Sequence, residues 1–179
     1  MDTTCCRNAR VLQQRLTDSL ESGIIVIGRD VFMVAFQRIL LPVDGSANSQ
    51  RALAYAVYLA ELCQAAVGIL HVVNLSQAIS AIGQVDTGGY IPGQVLEDLK
   101  EGGRQILDKA VQQLPATVAA QGFLEIGTPP EVIVTFANKH GYDLIVMGSR
   151  GRSAIKGLLL GSVSSYVLHH AACPVMVTK

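Results

Sequence analysis

From Arg38 onward, short runs that are apolar on both faces alternate with helical patterns. The main runs are Ile39-Leu40-Leu41-Pro42-Val43, Val67 to Val73, Leu144-Ile145-Val146-Met147 and Val175-Met176-Val177. A strand apolar on both sides must be buried on both sides, which is the condition of a parallel sheet covered by helices on each face. A half-exposed antiparallel sheet would instead alternate apolar and polar residues.

Helical spacing is found at about 47–64, with Ala52, Ala56, Leu59, Ala60 and Cys63 on one face, and at about 93–114. A third helix opens at Thr128-Pro129-Pro130-Glu131, a proline-led start with the residues of a capping box, and ends at Lys139-His140-Gly141. A short fourth helix falls at about 163–171. The stretch 118–125 is the least apolar strand and suits a sheet edge. Right-handed crossovers leave few topologies for such an order. The expectation is an α/β, doubly wound (Rossmann-like) open parallel sheet of five strands, order 3-2-1-4-5, with helices on both faces. Ligands in such sheets sit at the carboxyl ends of the strands, where strand order reverses. That places a site between Val43-Asp44 and Met147-Gly148.

The chain there reads GSRGRSAIKGLLLGSV, from Gly148 to Val163. Glycines permit φ > 0 or close approach of a ligand to the backbone. Exposed N–H groups and a following helix start then suit a phosphate. No lysine follows Gly161, so this is not a Walker A loop. Gly148 and Gly161 are too far apart for a dinucleotide fingerprint.

Gly148, Gly151 after two residues, then nine residues, then Gly161-Ser162 closely resemble the ATP-binding signature of the universal stress protein family. Leu41-Pro42-Val43-Asp44-Gly45-Ser46, His71-Val72, Gly127-Thr128-Pro129 and Cys173-Pro174-Val175 resemble the family too, so the likeness spans about 37–179. The resemblance implies that Pro42, Val43, Asp44 and Val72 hold the adenosine end of ATP, with Met147 and Gly148 lining the same pocket. It implies that Gly151, Gly161, Ser162 and Val163 hold the phosphates. Asp44 would then take the ribose, at the opposite end of the nucleotide from the phosphates. As a turn or helix-cap residue it has a plain structural reading as well. His71 is expected to be a packed core histidine. Arg150, Arg152 and Lys156 are loop cations, solvated or facing a γ-phosphate.

Lys+Arg and Asp+Glu balance at 14 each, so no global field recruits nucleic acid or an anionic membrane. Half the residues are hydrophobic and 16% charged, as in a chain that folds around a core. Cys5, Cys6, Cys63 and Cys173 show no metal-ligand spacing and suit a reducing, cytoplasmic setting; Cys63 and Cys173 are expected to be buried thiols. Residues 1–36 form an N-terminal extension, expected to be poorly ordered or loosely docked, with a weak helix at about 8–21. Its apolar pieces are too short to span a bilayer, and Met33 is expected to be the natural start. Residues 37–179 form one nucleotide-binding domain. The long stretch 75–93 is expected to be a mobile loop.

These readings predict a cytoplasmic, ATP-binding universal stress protein, a regulatory module that is a homodimer through its C-terminal strand and binds neither nucleic acid nor membrane. Mg²⁺ would accompany ATP. No metal is held by the protein alone, and no catalytic residue is assigned. Gly148–Val163 holds no Asp or Glu to position water, so ATP hydrolysis is expected to be slow at most. Alternatives are an adenine-nucleotide-using enzyme of the same fold, such as a slow ATP hydrolase or adenylate transferase, or a dimerisation module that has lost the nucleotide.

Overall fold

The computed structural model describes residues 36–74, 93–151 and 160–179. The expectations for 1–35, for 75–92, and for Arg152 and Lys156 lie outside the described residues. Among the described residues the chain runs β1 (Arg38–Pro42), α1 (Ala47–Cys63), β2 (Ala66–Val73), α2 (Gly93–Val111), β3 (Ala120–Ile126), α3 (Pro129–Lys139), β4 (Leu144–Gly148), α4 (Ser162–His170) and β5 (Val175–Thr178). The strands form one parallel sheet in the order β3-β2-β1-β4-β5, as the alternation predicts.

The two-sided apolar character of the strands has its counterpart in two cores. Ile39, Leu41, Val67, Ile69, Leu144 and Val146 face α1 and α2, packing with Ala52, Ala56, Ala60, Leu107 and Ala110. Leu40, Leu70, Ile145 and Met147 face α3 and α4, packing with Ile133, Phe136, Ala137 and Val167. Leu40, Leu41, Ile69, Leu70 and Ile145 are fully buried, which stabilises the sheet by about 1.5–3 kcal/mol apiece. Strand β3 has the solvated edge that its composition suggested, with Ala120, Gln121, Gly122, Glu125 and Ile126 exposed.

The amino end of the sheet is held by polar groups. The Asp143 carboxylate accepts the backbone N–H groups of Gln37 and Arg38 at 2.7 and 3.0 Å, fixing the start of β1 against that of β4. The Tyr142 ring lies directly on the β2 backbone at Gly68, where any Cβ would overlap it. The Arg38 guanidinium sits 5.1 Å from the centre of that ring.

At the carboxyl end the sheet opens. The β1–β4 ladder consists of Ile39↔Leu144 and Leu40↔Ile145 and goes no further. Pro42, with no N–H, ends β1. One expected cap does not form. Thr128 is the N-cap of α3 but makes no side-chain cap bond; Pro130 at N2 has no N–H to offer it, and the Glu131 N–H at N3 is not taken up. Glu131 still places a carboxylate in the first turn, where the helix dipole favours it. Cys63 is buried as expected, whereas Cys173 is only half-buried.

Candidate functional site

Where β1 and β4 part, their following loops and the wall of α2 enclose a cavity of about 740 Å³. Pro42, Val43, Asp44, Val72, Gly148, Gly151, Gly161, Ser162 and Val163 all line it. Met147 is not among them. It is 5% exposed and packs in the α3/α4 core with Leu40, Ile145 and Val167. Strand alternation explains the difference: Met147 shares the face of Ile145, and the chain reaches the cavity one residue later.

The carboxyl end of β1 leads into α1 through a tight turn. Asp44 Oδ1 accepts the N–H of Ser46 at 3.0 Å, and Ser46 Oγ caps α1 by accepting the N–H of Ser49 at 3.2 Å. Asp44 therefore makes the turn and Ser46 makes the cap. The Asp44 carboxylate lies close to the glycine loop. A Cβ on Gly151 would lie 2.6 Å from Asp44 Oδ2. Strands β1 and β4 are sheet neighbours, so loops leaving the same end of both must meet.

None of the three signature glycines has positive φ; among the described glycines that conformation belongs to Gly45, Gly127 and Gly141. At Gly148 and Gly151 space is short, whereas a Cβ on Gly161 would come no closer than 3.4 Å to its neighbours. A Cβ on Gly148 would lie 2.8 Å from the backbone carbon of Asn48, and one on Gly151 would meet Asp44. The first turn of α4 opens onto the cavity, with Gly161 as N-cap at φ −80° and ψ 165°. The N–H groups of Ser162, Val163 and Ser164 have no partner within the helix and carry its positive end. This is an arrangement that binds anions.

His71 is half-buried on the cavity wall, with Nδ1 2.7 Å from Val43 O. A carbonyl oxygen only accepts, so Nδ1 carries the proton and Nε2 of the neutral ring is an acceptor. His71 thus holds the carbonyl immediately before Asp44 and is more than core filling.

Several residues at the site escaped the sequence analysis. Ser149 and Ser164, each 2% exposed, close the loop beneath Gly161. Asn48 donates to Arg150 O at 3.2 Å. Helix α2 supplies Asp98, Leu99, Gly102, Gly103 and Ile106 to the cavity wall. Asp98 Oδ1 accepts from Gln94 Nε2 at 3.1 Å. The position of Ser164, two residues after Ser162 in a helix start, was a usable signal; α2 carried none, because only folding brings it over the site. Arg150 is a half-buried cation on the wall. Among the described residues no three His, Cys, Asp or Glu side chains come together as a metal site, and no helix is long and apolar enough to cross a membrane.

Residues 35–179 match the model of the universal stress protein family. Universal stress protein YxiE of Bacillus subtilis (strain 168) is 34% identical over 149 residues, which cover 80% of this chain and 99% of YxiE. The solved structure of MJ0577 from Methanocaldococcus jannaschii superposes with a TM-score of 0.71 at 28% identity, covering 82% of this chain and 97% of that one. A universal stress protein from Archaeoglobus fulgidus, solved in complex with dAMP, superposes with a TM-score of 0.56 at 25% identity, covering 82% and 100%. The chain belongs to the universal stress protein family.

Proposed function

We propose that the protein binds an adenine nucleotide, with ATP as the ligand, and acts as a nucleotide-dependent stress-response or regulatory module in the cytoplasm. One observation carries this reading. The signature glycines, the open first turn of α4 and the Asp44 carboxylate, far apart in sequence, line one cavity at the strand-order reversal. The dAMP complex of the Archaeoglobus relative supports an adenine nucleotide in this fold.

In this reading Pro42, Val43, Asp44, Val72 and Gly148 hold the adenosine end. Gly151, Gly161, Ser162 and Val163 hold the phosphates through backbone N–H groups and the Ser162 hydroxyl. Mg²⁺ would ride on the phosphates and water, with at most one or two protein carboxylates. The phosphate chain of ATP would lie between Gly151, the first turn of α4 and the end of β1. Binding that favours one arrangement of the cavity rim shifts the surface offered to a partner. Ground-state binding alone leaves a chemical barrier in place, so turnover is expected to be slow. Asp44 beside Gly151 favours a hydrolase as the second reading, since it puts a carboxylate near the phosphate loop.

Mass spectrometry of ligand retained by the purified protein tests the ligand class. Calorimetry on Asp44→Ala should show a loss of about 1.5–3 kcal/mol for a charge-assisted hydrogen bond, on the order of ten- to a hundredfold in Kd. Unchanged affinity in a folded variant would remove Asp44 from the site. A hydrolysis assay with Gly151→Val as control separates the two readings. Turnover of about one per second or faster, lost in that variant, would establish the enzyme.

A further inference from the structure

The two peptide units that open the phosphate loop are tied down by side chains outside the glycine signature. Ser149 O accepts both the Gly161 N–H at 2.7 Å and the Ser164 hydroxyl at 2.8 Å. Arg150 O accepts the Asn48 side-chain amide at 3.2 Å and the Ser46 hydroxyl at 3.5 Å. A carbonyl oxygen is partially negative, and one aimed into an anion site would oppose the anion. Here two consecutive carbonyls are occupied by donors of the protein itself. Because the peptide unit is planar and trans, fixing each C=O also fixes the next N–H, here those of Arg150 and Gly151.

Ser164 does this from inside the structure. It is 2% exposed, where a hydrogen bond is stronger than in water and a missing one is costly. Its Oγ also lies 3.0 Å from Gly161 O, so one hydroxyl spans both ends of the loop. It stands in the first turn of α4, directly after Ser162 and Val163. Loop closure therefore rests on the Gly161 N–H and on this one side chain, which converge on the same carbonyl.

Resting on the nucleotide reading above, we infer that Ser164 is a positioning residue for the phosphate end of the ligand. It acts by closing the loop at Ser149 and Gly161, and Asn48 plays the same part at Arg150. The adenosine end, held from β1, β2 and Gly148 at the end of β4, makes neither of these two bonds. A purely structural serine would weaken every ligand alike, whereas this one discriminates by phosphate.

Calorimetry on the full chain with ATP and with adenosine tests this in wild type, Ser164→Ala, Ser164→Thr and Asn48→Ala. The ratio of ATP to adenosine affinity is expected to fall at least about fivefold in Ser164→Ala and Asn48→Ala. Adenosine affinity should stay within about twofold, and Ser164→Thr, which keeps the hydroxyl, should restore the ratio. Equal losses for both ligands, or an unchanged ratio, would overturn the inference while leaving the nucleotide reading intact. A wild-type chain that binds neither ligand would overturn the nucleotide reading and this inference with it. If Ser164→Ala does not fold, Asn48→Ala, on a different element, decides the same question.

Discussion

At Gly148 and Gly151 the reason for glycine is room, and the two positions are crowded by different things. The Cβ of an alanine at 148 would press on the Asn48 backbone and Cβ, both 2.8 Å away, at the start of α1. Backbone yields poorly, so Gly148→Ala is expected to lower stability in urea by about 1–3 kcal/mol, as overpacking does. At Gly151 the obstacle is the end of a side chain, Asp44 Oδ2. Gly151→Ala is therefore expected to keep its stability within about 0.5 kcal/mol but to displace Asp44 and weaken ATP. Urea denaturation and calorimetry on the pair check both halves. Tyr142 gives a pH-dependent test. Burial pushes its phenol above the ordinary value of 10, against an opposing pull from Arg38. The unfolded chain releases that proton first as pH rises, so stability is intact below about pH 10 and falls above it. Tyr142→Phe should flatten the loss of Tm above pH 10, and an identical alkaline slope in both proteins would count against it.

Among the elements, α2 is the one whose placement shapes the cavity most and whose sequence announces it least. Its paired glycines separate two roles. A Cβ at Gly103 would fall 2.7 Å from Leu124 Cδ1 and 2.9 Å from His71 Cδ2, so this glycine lets the helix sit down on β2 and β3. Gly102 faces open space. Glycine inside a helix costs about 1 kcal/mol relative to alanine. Gly102→Ala is accordingly expected to raise stability by about 0.5–1 kcal/mol. Gly103→Ala should lower it, since side chains on the sheet must move, and should disturb His71 and the Val43 carbonyl it holds. Thermal unfolding of the two variants decides, and equal shifts would refute the distinction. At the far end of α4, His169 and His170 contact the carbonyls of Ser165 and Tyr166 through Nδ1 at 2.7 and 2.8 Å. Their place at the negative end of the helix dipole gives them a structural role.

For the whole molecule, the open question is the second edge of the sheet. Strand β5 pairs with β4 on one side and is last in the strand order. An edge of this kind leaves ladder groups for another chain. We propose that β5 pairs antiparallel with its copy across a two-fold axis, which satisfies those groups symmetrically. Val177→Asp should give monomers by light scattering. Val177 also packs against the α3/α4 core, so circular dichroism must show the variant folded. A wild type that stays monomeric at high concentration would refute the dimer.

The sequence by itself determined the architecture, because unbroken apolar strands joined by amphipathic helices are stable only as a covered parallel sheet. Local chemistry also marked the ends of β1 and β4 and the glycine loop, since turn glycines and a helix start are legible without neighbours. What only the tertiary structure decided concerns contacts between distant segments. Strand parity turned the Met147 side chain into the α3/α4 core. The adjacency of β1 and β4 brought Asp44 against Gly151, 107 positions later in the numbering. Packing of α2 onto β2 made Gly103 necessary and added Asp98 to the wall. Hydrogen bonds from Ser164 and Asn48 oriented carbonyls that no periodicity or spacing describes. Propensity and pattern act over a turn or a strand, whereas these features depend on which elements become neighbours and at what distance, which packing of the two cores settles.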